Sequence, residues 1–241
     1  MRSPGHRRGA ADAGTARVAD HRFIHAVAFD LDGTLIDSAP DIGHAVNTAL
    51  AAAGLQRFDL ATVRSWIGDG PDALIARALT AQGISPDDMA LCQTLRATFD
   101  AATLVAPLAR GQVYPGIAEL LRQLSAHRYP LAVVTNKPTH LARAVVEAAG
   151  LLPWLAHVQG ADTPAQRKPS PLMLQTTAAH LGVVPTKLLM VGDAPPDILA
   201  ALAAGCPAAL VSWGYGAHAV PARLIPWHVT HPEQISASLI G

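Results

Sequence analysis

The alternation of short apolar runs with amphipathic segments between Ile117 and Val211 constrains this chain more than any other feature. Leu131–Thr135, His157–Gln159, Leu188–Val191 and Ala208–Val211 read as strands. Ile117–His127, Leu141–Ala149, Pro171–Leu181 and Ile198–Ala204 carry apolar residues three and four apart and read as helices. Strands that alternate with helices fold as a parallel sheet joined by right-handed crossovers. An earlier strand is expected over residues 23–30, where Ala26-Val27-Ala28-Phe29 is apolar throughout. A strand buried on both faces reads this way. A short strand near His228–Thr230 and a closing helix complete the expected sheet.

Between Ala39 and Ala109 the pattern is helical instead, over Ile42–Ala53, Ala73–Gln82 and Asp87–Ala101. Gly54, Gly70 and Gly83 punctuate these segments. The expected fold is therefore α/β: a Rossmann-like parallel sheet core with a helical cap inserted after the first strand. Residues 23–38 and 112–241 form the core in this reading, and residues 39–111 the cap. Half of the 241 residues are hydrophobic, which suffices for a core of that size. Residues 1–22 hold five arginines but no apolar stretch of the kind a secretory signal needs, and are expected to be a disordered tail.

Charge excludes several function classes. Eighteen basic residues balance eighteen acidic ones, without the excess that nucleic acid or an anionic membrane surface demands. No segment is apolar for long enough to span a bilayer. Cys92 and Cys206 lie far apart without metal-ligand spacing, so they are expected to be free thiols in a reducing, cytoplasmic setting.

The residues that carry chemistry fall at strand ends, where open α/β sheets bind ligands. The first strand runs into Asp30-Leu31-Asp32-Gly33-Thr34. In an extended chain residues i and i+2 share a side, so both carboxylates can converge on one point. Close carboxylates repel unless a cation lies between them, and hard oxygen donors suit magnesium. Thr135-Asn136-Lys137 ends the second core strand, with a hydroxyl and backbone N–H groups able to hold a phosphate oxygen. Lys168 precedes Pro169, and Leu188–Val191 runs into Gly192-Asp193 with Asp197 four residues later. The chain has fifteen arginines and only three lysines: Lys137, Lys168 and Lys187. A compact ammonium kept where the chain otherwise chooses the wide guanidinium suggests a tight site. Lys187, beside a strand start, is expected at the surface.

In that order these motifs resemble those of the haloacid dehalogenase-like phosphatase superfamily, over residues 24 to about 240. FDLDGTLIDSAPDI, WIGDGPDALIARAL, VYPG, VTNKPT and AAGCP followed by GYG are similar to the bacterial phosphoglycolate phosphatase family. The resemblance implies a magnesium-dependent phosphatase acting on a small phosphate monoester, 2-phosphoglycolate, through an aspartyl-phosphate. A sugar-phosphate phosphatase, for example of the N-acetylmuramate 6-phosphate type, is the alternative, and a non-catalytic phosphoester-binding protein a remote one. Asp30 is implied as nucleophile, ionised like an ordinary aspartate (pKa ~3.9). Asp32 is implied as proton donor and acceptor. Magnesium would be held by Asp30, Asp193 and the Asp32 backbone carbonyl. Thr135, the Asn136 backbone and Lys168 would hold the phosphoryl group, Asp197 would orient Lys168 or a metal-bound water, and Gly33 and Thr34 would support the turn. The Trp66–Gly70 turn, with Gly68, Asp69 and Gly70, is expected to touch substrate, and Arg64 to reach its carboxylate. The sequence departs from the family at Ala194, where Ser or Thr is usual, and at Ser170, where His is frequent.

Overall fold

The computed structural model describes residues 23–225 and 227–241. The expected N-terminal tail lies outside those residues. In chain order the elements are β1 (Ala26–Phe29), β2 (Ile36–Asp37), α1 (Ala39–Ala52), α2 (Leu60–Arg64), α3 (Pro71–Thr80) and α4 (Met89–Val105). Then follow β3 (Gln112–Val113), α5 (Ile117–Ala126), β4 (Leu131–Thr135), α6 (Thr139–Ala148), β5 (His157–Gly160) and α7 (Leu172–His180). The chain closes with β6 (Leu188–Gly192), α8 (Pro195–Ala204), β7 (Ala208–Val211), β8 (His228–Val229) and α9 (Glu233–Ile240).

Six strands form one sheet in the order β5-β4-β1-β6-β7-β8, and every adjacent pair is parallel. The sheet grows outward from β1 in both directions, so the switch in strand order falls beside β1, where a crevice opens at the strand ends. The two-residue side-chain period sorts the strands onto two faces. Val27, Phe29, Leu131, Val133, Leu189 and Val191 pack with α5, α6 and α9. Ala26, Ala28, Val134, Leu188 and Met190 pack with α7 and α8 on the other face.

A third core joins α1–α4. Ile42, Val46, Leu50, Leu74, Leu79, Leu95 and Phe99 enclose it, and Leu141 of α6 closes it from below. The crossing into and out of this segment is a two-stranded antiparallel ribbon of β2 and β3, which the sequence reading did not anticipate. Asp41 fastens the same crossing: its carboxylate accepts backbone N–H bonds from Ala109, Arg110 and Gly111 at 3.0, 3.0 and 2.7 Å. Among the described residues no helix is long and apolar enough to cross a membrane.

Phe29 is fully buried at the centre of the sheet, directly before the first acidic residue. Phe29→Ala should lower unfolding free energy by about 3–5 kcal/mol. Leu104, half exposed on α4, should tolerate Ala within ~0.5 kcal/mol. Urea denaturation of both variants checks this, and equal losses would contradict the assignment of the core.

Candidate active site

Asp30 follows β1 directly, and its backbone N–H donates to Val191 O of β6 at 2.8 Å, which fixes the carboxylate between two strand ends. Lys168 reaches it from the loop after β5. Its ammonium donates to Asp30 Oδ1 at 2.8 Å, Asp197 Oδ1 at 2.6 Å and Val134 O at 2.8 Å. Those three bonds use all three donors of the ammonium. The Lys168–Pro169 peptide bond is cis. Asp197 lies in the first turn of α8, where the helix dipole favours an acid, and its Oδ2 accepts the Ala194 N–H at 3.0 Å. A Cβ on Gly192 would fall 2.3–2.4 Å from the Asp197 side chain, so the strand end must be glycine for that carboxylate to lie against it.

Asp193 follows β6. Its carboxylate accepts Thr34 Oγ1 at 3.0 Å and the backbone N–H groups of Tyr215 and Gly216 at 2.7 and 3.2 Å. Gly33, with φ +92°, passes so close that a Cβ would come within 2.7–2.9 Å of that carboxylate. Gly33 and Thr34 thus seat Asp193. Carboxylate oxygens of Asp30, Asp193 and Asp197 all lie within 4.8 Å of one another. Asp32 is turned elsewhere, accepting Lys137 Nζ at 2.7 and 2.8 Å and Ser38 Oγ at 2.5 Å.

This crowding changes the electrostatics. The expectation of an ordinary, low-pKa Asp30 is corrected: burial pushes its carboxyl up to about 7, against the pull of Lys168 and with Asp197 and Asp193 adding to the rise. Burial, then Asp197, raises Asp193 to about 6, opposed by its hydrogen bonds to Tyr215, Thr34 and Gly216. Burial works against the Lys168 ammonium, yet Asp197 and Asp30 together hold its pKa above the ordinary lysine value. The cluster carries more negative charge than one ammonium offsets. Its donors are all carboxylate oxygens, the set that suits magnesium.

Above Asp30 and Asp32 lies a cavity floored also by Thr135, Asn136 and Lys137. Its outer wall is Ile42, Ile67, Leu74 and Phe99, with Gly68, Gly70 and Pro71 at the turn. The Asn136 side chain holds this arrangement together. It donates to Gly68 O at 2.9 Å and Lys168 O at 3.2 Å, and its Oδ1 accepts the Lys168 N–H at 2.7 Å. Gly70, at φ +84°, sits so near the Asn136 carbonyl that a Cβ would come within 2.8 Å.

Two of the expected substrate contacts do not line this cavity. Arg64 does not line the cavity: it is bound to both Asp37 oxygens at 2.8 and 2.9 Å and lies 5.0 Å from the centre of the Tyr215 ring. Asp69 is likewise drawn off the cavity into an ion pair with Arg77. Each is paired with an opposite charge instead. The sequence reading gave no role to Lys137, Ser38 or the Asn136 side chain. Lys137 alone had left a signal, as one of three lysines in an arginine-preferring chain.

Residues 24–205 match the family model described as haloacid dehalogenase-like hydrolase. The chain is 44% identical to a phosphoglycolate phosphatase of Rhodospirillum rubrum, over 79% of this chain and 80% of that protein. It is 41% identical to one of Cereibacter sphaeroides, over 84% of this chain and 90% of that protein. The crystal structure of a predicted phosphoglycolate phosphatase from Haemophilus somnus superposes with a TM-score of 0.81 at 29% identity, covering 89% of this chain and 97% of that one.

The raised carboxyls of Asp30 and Asp193 make a pH prediction for the metal-free protein. Between the ordinary aspartate value of 3.8 and their folded values of about 7 and about 6, the folded chain binds more protons than the unfolded chain. Their contribution to stability is therefore present at acid pH and lost as pH rises through that window. Asp193→Asn removes one such group. In chelator, thermal unfolding of the variant should gain on the wild type from about pH 4 to about pH 6 and level off above that. A difference that stays constant over that range would contradict the burial cost.

Proposed function

This chain belongs to the haloacid dehalogenase-like hydrolases and is a phosphoric monoester hydrolase, and on that premise we propose that it hydrolyses 2-phosphoglycolate to glycolate and phosphate. One observation carries the mechanism: Asp30, at the switch point of the sheet, faces the cavity while Lys168 holds its far side at 2.8 Å. An Asp30 oxygen attacks phosphorus, the ester P–O bond breaks, and its electron pair leaves with the glycolate oxygen. Asp32 gives that oxygen its proton. Water then attacks phosphorus, Asp32 takes a proton from it, and the bond to Asp30 breaks to release phosphate. Thr135 and the backbone at Asn136 position the phosphoryl group. Lys168 fixes the Asp30 carboxylate, and Asp197 fixes Lys168. This is catalysis by positioning and charge, as phosphoryl transfer requires.

Magnesium is the proposed cofactor, with Asp30, Asp193 and the Asp32 backbone carbonyl as its protein ligands. Bound there, it would offset the surplus carboxylate charge and that of the phosphoryl oxygens. Residues 39–111 are proposed as a cap that excludes water and selects the substrate. The substrate assignment is supported by the phosphoglycolate phosphatases that the chain resembles and by the narrow apolar wall over the nucleophile.

Asp30→Asn keeps the side-chain shape but loses the anionic oxygen, and should lower kcat by about three orders of magnitude or more. A variant with a tenth of wild-type turnover would refute the nucleophile. The enzyme should be inactive in EDTA and recover with magnesium, and full activity after exhaustive chelation would refute the cofactor. Across a panel of monoesters, kcat/KM for 2-phosphoglycolate should exceed that for glycerol phosphate or glucose 6-phosphate at least ~100-fold. A sugar phosphate at the head of the panel would overturn the substrate but not the reaction.

A further inference from the structure

The cavity over Asp30 has an uneven distribution of charge. Its outer wall, Ile42, Ile67, Leu74 and Phe99, offers no charge to a ligand. Lys168 does not line it, having committed all three donors behind Asp30. Arg64 is held by Asp37 outside it. Among the described residues, Lys137 is the one cationic side chain on its surface.

Lys137 is nearly buried, and its ammonium has a single partner among the described residues, the Asp32 carboxylate, at 2.7 and 2.8 Å. An ammonium has three protons to donate, so one more acceptor can be taken without giving up Asp32. The proposed reaction places the ester oxygen within hydrogen-bond reach of Asp32, about 3 Å. In phosphoglycolate the carboxylate is attached one methylene from that oxygen. The group that touches Asp32 from the cavity floor is then the group the substrate carboxylate meets.

We infer that Lys137 recognises the carboxylate of the substrate, so that specificity for an acidic monoester is set from the end of β4 and not by a charge on the helices above it. The inference rests on the phosphoglycolate reading and deepens it. It also explains why the wall can be apolar: the methylene lies against it while both anionic ends face the sheet. A neutral or bulky monoester leaves Lys137 without its second acceptor, and a site built around a buried polar partner rejects ligands that leave it unpaired.

The test uses two substrates that differ in one charge, 2-phosphoglycolate and its primary amide. Their kcat/KM ratio is independent of how much of a preparation is active, so a partly folded variant still reports it. The wild-type ratio should be at least ~100, falling to within about tenfold of unity in Lys137→Met and Lys137→Gln. If turnover of the variants is too slow to measure, the Kd ratio of the same two ligands should collapse between Asp30→Asn and Asp30→Asn/Lys137→Met. A wild-type ratio preserved in the variants, with both substrates slowed alike, would overturn the inference: Lys137 would then serve the chemistry through Asp32, and the phosphoglycolate reading would stand. A wild-type ratio near unity would overturn both.

Discussion

The Lys168 ammonium is bound by three groups from three parts of the core: Asp30 after β1, the Val134 carbonyl in β4 and Asp197 in α8. It is buried, and so are both carboxylates. A buried charge is tolerable only with close, well-oriented partners, and removing one partner of such a set costs about 3–5 kcal/mol. The ends of β1, β4 and β6 must therefore arrive in register for the lysine to be accommodated. That dependence makes the geometry at Asp30 precise, because a slip of any of these strands would leave the ammonium or a carboxylate unpaired. Gly192 is part of the same constraint, since a side chain there would occupy the space of Asp197.

The helices inserted after β2 are tied to this centre by polar contacts that converge on the same loops. Asn136 joins the turn at Gly68 to the backbone on both sides of Lys168. Asp72 of α3 pairs with Arg96 of α4 and with Arg167, the residue before Lys168. The loop that delivers the buried lysine is thereby fastened to the segment that roofs the cavity. Any movement of that roof must be felt at Lys168, because the same side chains hold both.

The sheet was legible because its strands are short apolar runs with abrupt polar ends. Leu131–Thr135 and Ala208–Val211 read from the sequence match β4 and β7 residue for residue. The ribbon of β2 and β3 was not legible, since two-residue strands are too short to show a period. Of the site, Asp30 and Asp193 were visible because each follows directly on an apolar strand. Where their partners lie was not visible: Lys137 and Asp32 are 105 positions apart and meet only because β1 and β4 are neighbours. The pairing of Arg64 was hidden in the same way. A cation in the inserted helices looked available for a substrate, but Asp37 of β2, just before those helices, takes it. The pKa of Asp30 was misjudged because burial depends on neighbours that sequence spacing does not reveal.

The central claim is that the buried cluster makes Asp30, and no other residue, the group that receives the phosphoryl unit. Rapid acid quenching of the enzyme mixed with substrate, followed by mass spectrometry of its peptides, tests this directly. The account predicts one acid-stable phosphoryl adduct during turnover, located on Asp30 and absent once substrate is exhausted. Phosphate found on Asp32 or elsewhere, or turnover through the same time window with no phosphorylated enzyme, would contradict it.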